Sequence, residues 1–458
     1  MKSVNPLGNP DFRRLFSAQV IALVGTGLST IALTLLAYDL AGGNAAAVLG
    51  TALAFKMVAY VVFAPIVGGL AHRFPRKPFL VLMDVIRAGV VLLMPFVTEV
   101  WQIYALIFVL NLFSAGFKPV FSATIPDIVT DERGYTRALA MSRLAYDLEN
   151  LLSPLFAGLA LLFVTYTGLF VTNSVAFLIS AALILATTVP AGRRVDRPGS
   201  IRDQISYGLR AYLQTPRLRG LLALYLAVSA ASAMVIVNTV VYVRQSLGGT
   251  ESDVAIAMAA AGGGSMLAAL GLPRLLDRMP DRPVMLAGSL TIAAGLALMA
   301  SGPTFFGLLP IWFLVGFGWS LIQTPAGRVV NRSAAPADRP AYFSAQFALS
   351  HGCWLVFYPL AGQLGSHIGI ESTAMWFAGG VLVFTLLAAK LWPADDSAAI
   401  EHAHVIESHE HEHSHGSHHM HEHAGREGPA PHSHPHRHDR LRHLHTYVID
   451  DHHAFWPG

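Results

Sequence analysis

The sequence predicts an all-α membrane protein, with twelve spanning helices in two halves of six and a disordered C-terminal tail. Hydropathy, the charge of the loops and an internal repeat carry that prediction. Hydrophobic residues make up 53% of the chain and charged residues 13%, with a mean hydropathy of +0.50, against about 25% charged residues in an ordinary soluble domain. A water-soluble fold could not cover that much apolar surface. Apolar runs are read at residues 15–38, 46–70, 79–98, 102–123, 139–165 and 169–189, then at 220–242, 254–275, 284–301, 305–329, 342–366 and 374–393. Each can cross about 30 Å of hydrocarbon at about 1.5 Å per residue.

Basic residues orient these spans. With the N-terminus in the cytoplasm, Lys2, Arg13, Arg14, Arg73, Arg76, Lys77, Arg133 and Arg137 fall inside, as do the seven arginines from Arg193 to Arg219 and the six from Arg274 to Arg339. Only Arg244 falls in an outer loop. Positive loops stay on the cytoplasmic side, so a bacterial inner membrane protein with both termini cytoplasmic is expected. Asp11, Arg13 and Arg14 lead into a long first helix with no small-residue cleavage pattern, and no cleavable signal peptide is expected.

The organisation follows: a first half at 1–189, a basic, amphipathic connector at 190–219, a second half at 220–393 and a tail at 394–458. The halves resemble each other. HRFPRKP from His72 matches DRMPDRP from Asp277, and the same offset of 205 (277 − 72) relates Pro154 to Pro359 and Phe108 to Phe313.

Several function classes are excluded. A lone cysteine, Cys353, allows neither an intramolecular disulfide nor a thiolate metal cluster. The net charge of +3 gives no ground for nucleic acid as a partner. There is no phosphate loop for a primary pump, no nucleophile elbow and no zinc-hydrolase helix, so neither an enzyme nor a cofactor is expected.

A repeat of six helices about an axis along the membrane normal is the architecture of major facilitator transporters, and the chain resembles that family at particular residues. Gly68, Arg73, Arg76 and Lys77 match its G-x-x-x-D-R-x-G-R-R/K loop, with His72 at the acidic position and Pro75 at the second glycine. Asp277, followed by Arg278, keeps the acid in the second half. The resemblance implies a gating role; simple positive-inside anchoring is the competing reading. VLMDVIRAG, SIRDQISYGLRAYLQTPRLRG and GGGSMLAALGLPRLLDR are similar to a subgroup of bacterial exporters that includes siderophore and nickel efflux proteins, which implies efflux.

The tail narrows the expectation. Of 21 histidines, 18 lie between His402 and His453. The candidate metal ligands are His402, His404, His409, His411, His413, His415, His418, His419, His421, His423, His432, His434, His436, His438, His443 and His445. Neutral imidazole suits Ni²⁺, Co²⁺, Cu²⁺ and Zn²⁺, on a stretch too polar to bury a core. With the body's resemblance, this is similar to nickel-resistance exporters that end in such tails. The expected function is secondary efflux of a divalent metal, nickel first and cobalt second, by proton antiport, with a monomer in lipid and the tail capturing metal. The alternative is export of a drug or siderophore with a metal-buffering tail.

Ionisable side chains inside spans are costly and mark function by default. Arg143, Asp147 and Asn150 share a face of helix five, with Glu149 off it, and His351 stands at a depth similar to Asp147 in the second half. An acid and an imidazole there could hold a cation or relay a proton; a structural ion pair and a packing histidine form the competing reading. Asp84 and Arg87 are expected to pair near the cytoplasmic mouth. Lys56, Lys118, Asn111, Asn238, Gln323 and Gln346 are polar within spans, and nothing in the sequence ranks them.

Overall fold

The computed structural model describes residues 5–41, 45–70, 73–189, 200–395, 399–403, 407–413, 432–438, 442–446 and 448. The chain divides into two compact units, Met1–Ala394 and Asp395–Gly458.

In the first unit, the helices of the first half are α1 (Pro10–Ala41), α2 (Ala45–Leu70), α3 (Arg76–Leu93), α4 (Val100–Ile128), α5 (Glu132–Ala160) and α6 (Tyr166–Leu185). The connector forms α7 (Ile201–Gln214). The second half holds α8 (Pro216–Ser246), α9 (Glu251–Leu276), α10 (Asp281–Met299), α11 (Phe305–Arg332), α12 (Arg339–Ile368) and α13 (Ile370–Leu391). Among the described residues, nine of these helices are long and apolar enough to cross a membrane. The other long helices, α2, α5 and α12, have 26, 29 and 30 residues and complete the twelve. Helix α5 falls short on apolarity because it carries Glu132, Arg133, Arg137, Arg143, Asp147 and Glu149.

The repeat is visible in the helix starts. Arg76 opens α3 and Asp281 opens α10, and Val100 opens α4 and Phe305 opens α11, each pair at the offset of 205 read from the loop motifs. Glycine sets the closest packing in the second half. A Cβ on Gly264 of α9 would overlap the Phe313 carbonyl of α11, and one on Gly316 of α11 would overlap the Ala261 carbonyl. Helices associate in lipid through such small-residue contacts, because lipid tails are as apolar as the side chains.

Helix α7 does more than link the halves. Ser200 caps it, and its hydroxyl and backbone N–H hold the Asp203 carboxyl below the usual range. Its inner face packs where glycine lets backbones approach: Gly69 of α2 against Ile205, and Gly208 against Ala341 of α12. Tyr212 is fully buried and bonds to Gln346, Tyr207 donates to Asp338 at 2.9 Å, and Arg73 donates to Gln204 at 2.6 Å. The connector therefore touches both halves at their basic end. Helix α8 contains two π-helical segments, Met234–Asn238 and Tyr242–Ser246.

In the second unit, β1 (Ala399–Ala403) pairs antiparallel with β4 (Arg442–Thr446), and β2 (Glu407–His413) with β3 (His432–His438). The register sets His409 opposite His436, His411 opposite His434, His413 opposite His432, and His402 opposite His443.

Candidate functional site: a central cavity with a sealed basic end

A cavity of about 590 Å³ runs between the halves, from Ile125 and Val330 toward the basic end to Thr34, Leu49 and Met94 toward the other. Its wall carries Lys56, Arg87, Lys118, Arg143 and His351, with Tyr60, Phe347 and Trp354.

Arg143 and Asp147 pair as their i, i+4 spacing on α5 requires, at 2.7 Å. The pair is also a bridge between the halves. Ser265 of α9 donates to Asp147 Oδ2 at 2.6 Å, and Arg143 Nη1 donates to Gln323 Oε1 of α11 at 2.7 Å. Asp147 is only 5% exposed, so its charge depends on these partners. Glu149 turns away, toward Gly27 and Ser153. Asn150 lies in α5, with its side chain outside the described residues.

Asp84 and Arg87 also pair, yet deeper than the expected mouth position. Helix α3 begins at Arg76, which sets Asp84 about 12 Å along its axis. Ser180 donates to Asp84 at 2.7 Å, and the Arg87 guanidinium is sandwiched between Phe117 and Phe177 at 4.1 and 4.4 Å from the ring centroids.

His351 does not join Asp147 in a common cluster. Its Nδ1 meets the Phe347 carbonyl at 2.7 Å, which makes Nδ1 the donor and leaves Nε2 with the free lone pair. The ring packs among Tyr60, Phe347 and Trp354, with centroids 4.8, 4.1 and 5.0 Å away. Among the described residues, no three His, Cys, Asp or Glu side chains converge as metal ligands.

The basic end is closed by ion pairs. Arg76 of α3 pairs with Asp127 of α4, and Asp127 also pairs with Arg339 of α12 in the other half. Arg328 of α11 pairs with Glu132 and with Asp281, at 2.5 and 3.3 Å, and Arg332 with Asp281 at 3.6 Å. Arg133 pairs with Asp277 at 3.3 Å on the surface. The repeat offset carries Arg76 onto Asp281 and Asp127 onto Arg332, so each half holds the same pair with its charges exchanged. Gly68 lies against Ser344 where α2 crosses α12, so the loop residues Gly68, Arg73, Arg76 and Asp277 all meet the other half or α7. Lys77 is half-buried and Arg278 is exposed. His72 lies outside the described residues, and Asp127 provides the carboxylate that Arg76 uses.

Comparison with known proteins agrees with this geometry. Residues 1–414 match the family model described as transmembrane secretion effector, a branch of the major facilitator superfamily. The chain is a major facilitator transporter. This transporter is 24% identical over 403 residues to the uncharacterized MFS-type transporter YvqJ of Bacillus subtilis, covering 82% of the chain and 93% of that relative. It is 26% identical to macrolide efflux protein A of Streptococcus pyogenes over 153 residues, 32% of the chain and 37% of that relative. The solved structure of a bacterial homologue of the iron transporter ferroportin, in its outward-facing state, shares the transporter's fold with a TM-score of 0.69 at 13% identity, covering 83% of the chain and 98% of that structure.

Of the ten tail candidates on described strands, His402, His409, His411, His413, His432, His434, His436 and His443 occupy the four opposed pairs, and His438 and His445 stand opposite Glu407 and Ile400. His404, His415, His418, His419, His421 and His423 lie outside the described residues.

Ser265, Asp127 and Tyr60 are absent from the residues the sequence singles out, and Arg339 enters there only as one of the basic loop residues that orient the spans. Each acts through a partner distant along the chain, and no local spacing marks it. Lys56 and Lys118 did carry a signal, since each is a charge inside a span.

Proposed function

We propose that this transporter exports a divalent transition metal, nickel first and cobalt second, from the cytoplasm of a bacterium in exchange for protons. The four opposed histidine pairs of β1–β4 carry the metal reading. Tethered to the chain end that follows α13, imidazoles in such number raise the local metal concentration, an effect that reaches millimolar for short flexible links. The efflux direction is supported by the macrolide efflux relative, and a metal cargo by the shared fold with a homologue of an iron transporter. With the basic end in the cytoplasm, the ion pairs close the cytoplasmic side, and breaking them opens the cavity to cytosolic cargo. No ATP site is needed; proton transfer falls to the carboxylates of the bundle, Asp147 foremost.

Expression in a metal-sensitive bacterium tests this. Cellular nickel should fall, and tolerance to nickel should rise. Unchanged content of nickel, cobalt, zinc and copper, with lower accumulation of a macrolide or dye, would give the case to a second reading. That reading is export of an organic compound, and the observation favouring it is the cavity itself, of a size suited to a small organic molecule.

A further inference from the structure

Two of the cavity's four Lys and Arg side chains have no acid of their own. Arg87 is neutralised by Asp84, and Arg143 by Asp147. Lys56 of α2 and Lys118 of α4 form no salt bridge among the described residues. Lys118 Nζ donates to the Tyr60 hydroxyl at 3.2 Å and lies 5.0 Å from the Tyr60 ring centroid and 5.8 Å from that of Phe347. Lys56 Nζ lies 5.8 Å from the same Tyr60 ring. Glu149 is within electrostatic reach of both lysines, yet it faces Gly27 of α1 rather than the cavity wall.

The surface shown to cargo is therefore basic and aromatic. A bare divalent ion would meet two like charges, one imidazole nitrogen at His351 and no carboxylate on the wall, where hard and borderline cations need several anionic or imidazole ligands. An anion would meet two ammonium groups, and its organic part would lie against Tyr60, Phe347 and Trp354. We infer that Lys56 and Lys118 form an anion-binding subsite, so that the species crossing the bundle is an organic anion and the exported metal travels as an anionic carboxylate chelate. This rests on the efflux reading and adds the chemical class of its cargo.

The test uses the full-length protein in proteoliposomes, with labelled nickel and labelled citrate supplied singly and together. Nickel should move with citrate and hardly at all alone, both labels crossing together. Lys56→Gln and Lys118→Gln should each raise the KM for the complex roughly tenfold to a hundredfold, the effect of losing one charged hydrogen bond, while Lys118→Arg keeps most of the affinity. Unfolding temperatures near that of the parent would exclude misfolding, and the arginine variant separates charge from packing. Nickel moving equally well without citrate, in parent and variants alike, would overturn the subsite and leave metal export standing. Citrate moving in a lysine-dependent way, with nickel adding nothing, would support the subsite and remove the metal from the proposed function. Transport of neither label would overturn the inference.

Discussion

Arg143 is held by three residues from two halves: Asp147 one turn along its own helix, Ser265 on α9 and Gln323 on α11. The first contact is legible in the sequence, because i, i+4 spacing places the two charges on one face. The other two are not, because they depend on how α5 meets the second half, where Ser265 of α9 donates to Asp147. The expected partnership of Asp147 with His351 rested on matching depth. Depth fixes height in the membrane and leaves the angle around the helix axis open, and the ring of His351 packs among Tyr60, Phe347 and Trp354. Asp147→Asn should abolish proton-driven transport while the protein remains inserted. It should also lower stability by about 2 kcal/mol, since it leaves a part-buried guanidinium without its counter-charge. Adding Arg143→Gln should recover part of that stability and none of the transport. Thermal unfolding together with a transport assay checks both statements.

The twelve helices and their pairing into halves were legible because two strong periodic signals, spanning hydropathy and the 205-residue offset, agree. Helix ends were less so. Helix α5 begins at Glu132 rather than near 139, because its polar first turns lie in the ion-pair layer where charge is tolerated. The amphipathic connector was visible, but its role in holding α2 against α12 through Gly69 and Gly208 was not. The exchanged-charge pairs of Arg76 with Asp127 and Asp281 with Arg332 escape a motif search, since in each the partner of the residue that opens one helix stands at the far end of the next. Asp127→Asn removes the links to both Arg76 and Arg339 and should destabilise the sealed state by about 2 kcal/mol, roughly thirtyfold in population. In a Cys353→Ser background, a cysteine replacing buried Ser344 beside Gly68 reports the opening. Its labelling by a membrane-impermeant maleimide from the basic side should accelerate by that factor. An unchanged rate would show that the ion pairs do not hold the seal.

The whole chain joins a transport body, with its cavity between two repeated halves, to a tail whose strands align histidines in opposed pairs. Composition alone exposed both parts, since no soluble fold carries such hydropathy and few segments carry so many imidazoles. Cargo is harder to read, because the tail's chemistry speaks for a metal and the cavity wall for an anion; a chelated metal satisfies both. Export direction and driving force belong to this scale too, and everted bacterial membrane vesicles, with the basic end facing the medium, test them together. With ATP absent and an acid-interior pH gradient imposed, vesicles carrying the protein should take up nickel supplied with citrate, and collapsing the gradient with a protonophore should stop the uptake. Uptake no greater than in vesicles lacking the protein, or uptake indifferent to the gradient, would contradict proton-driven metal efflux.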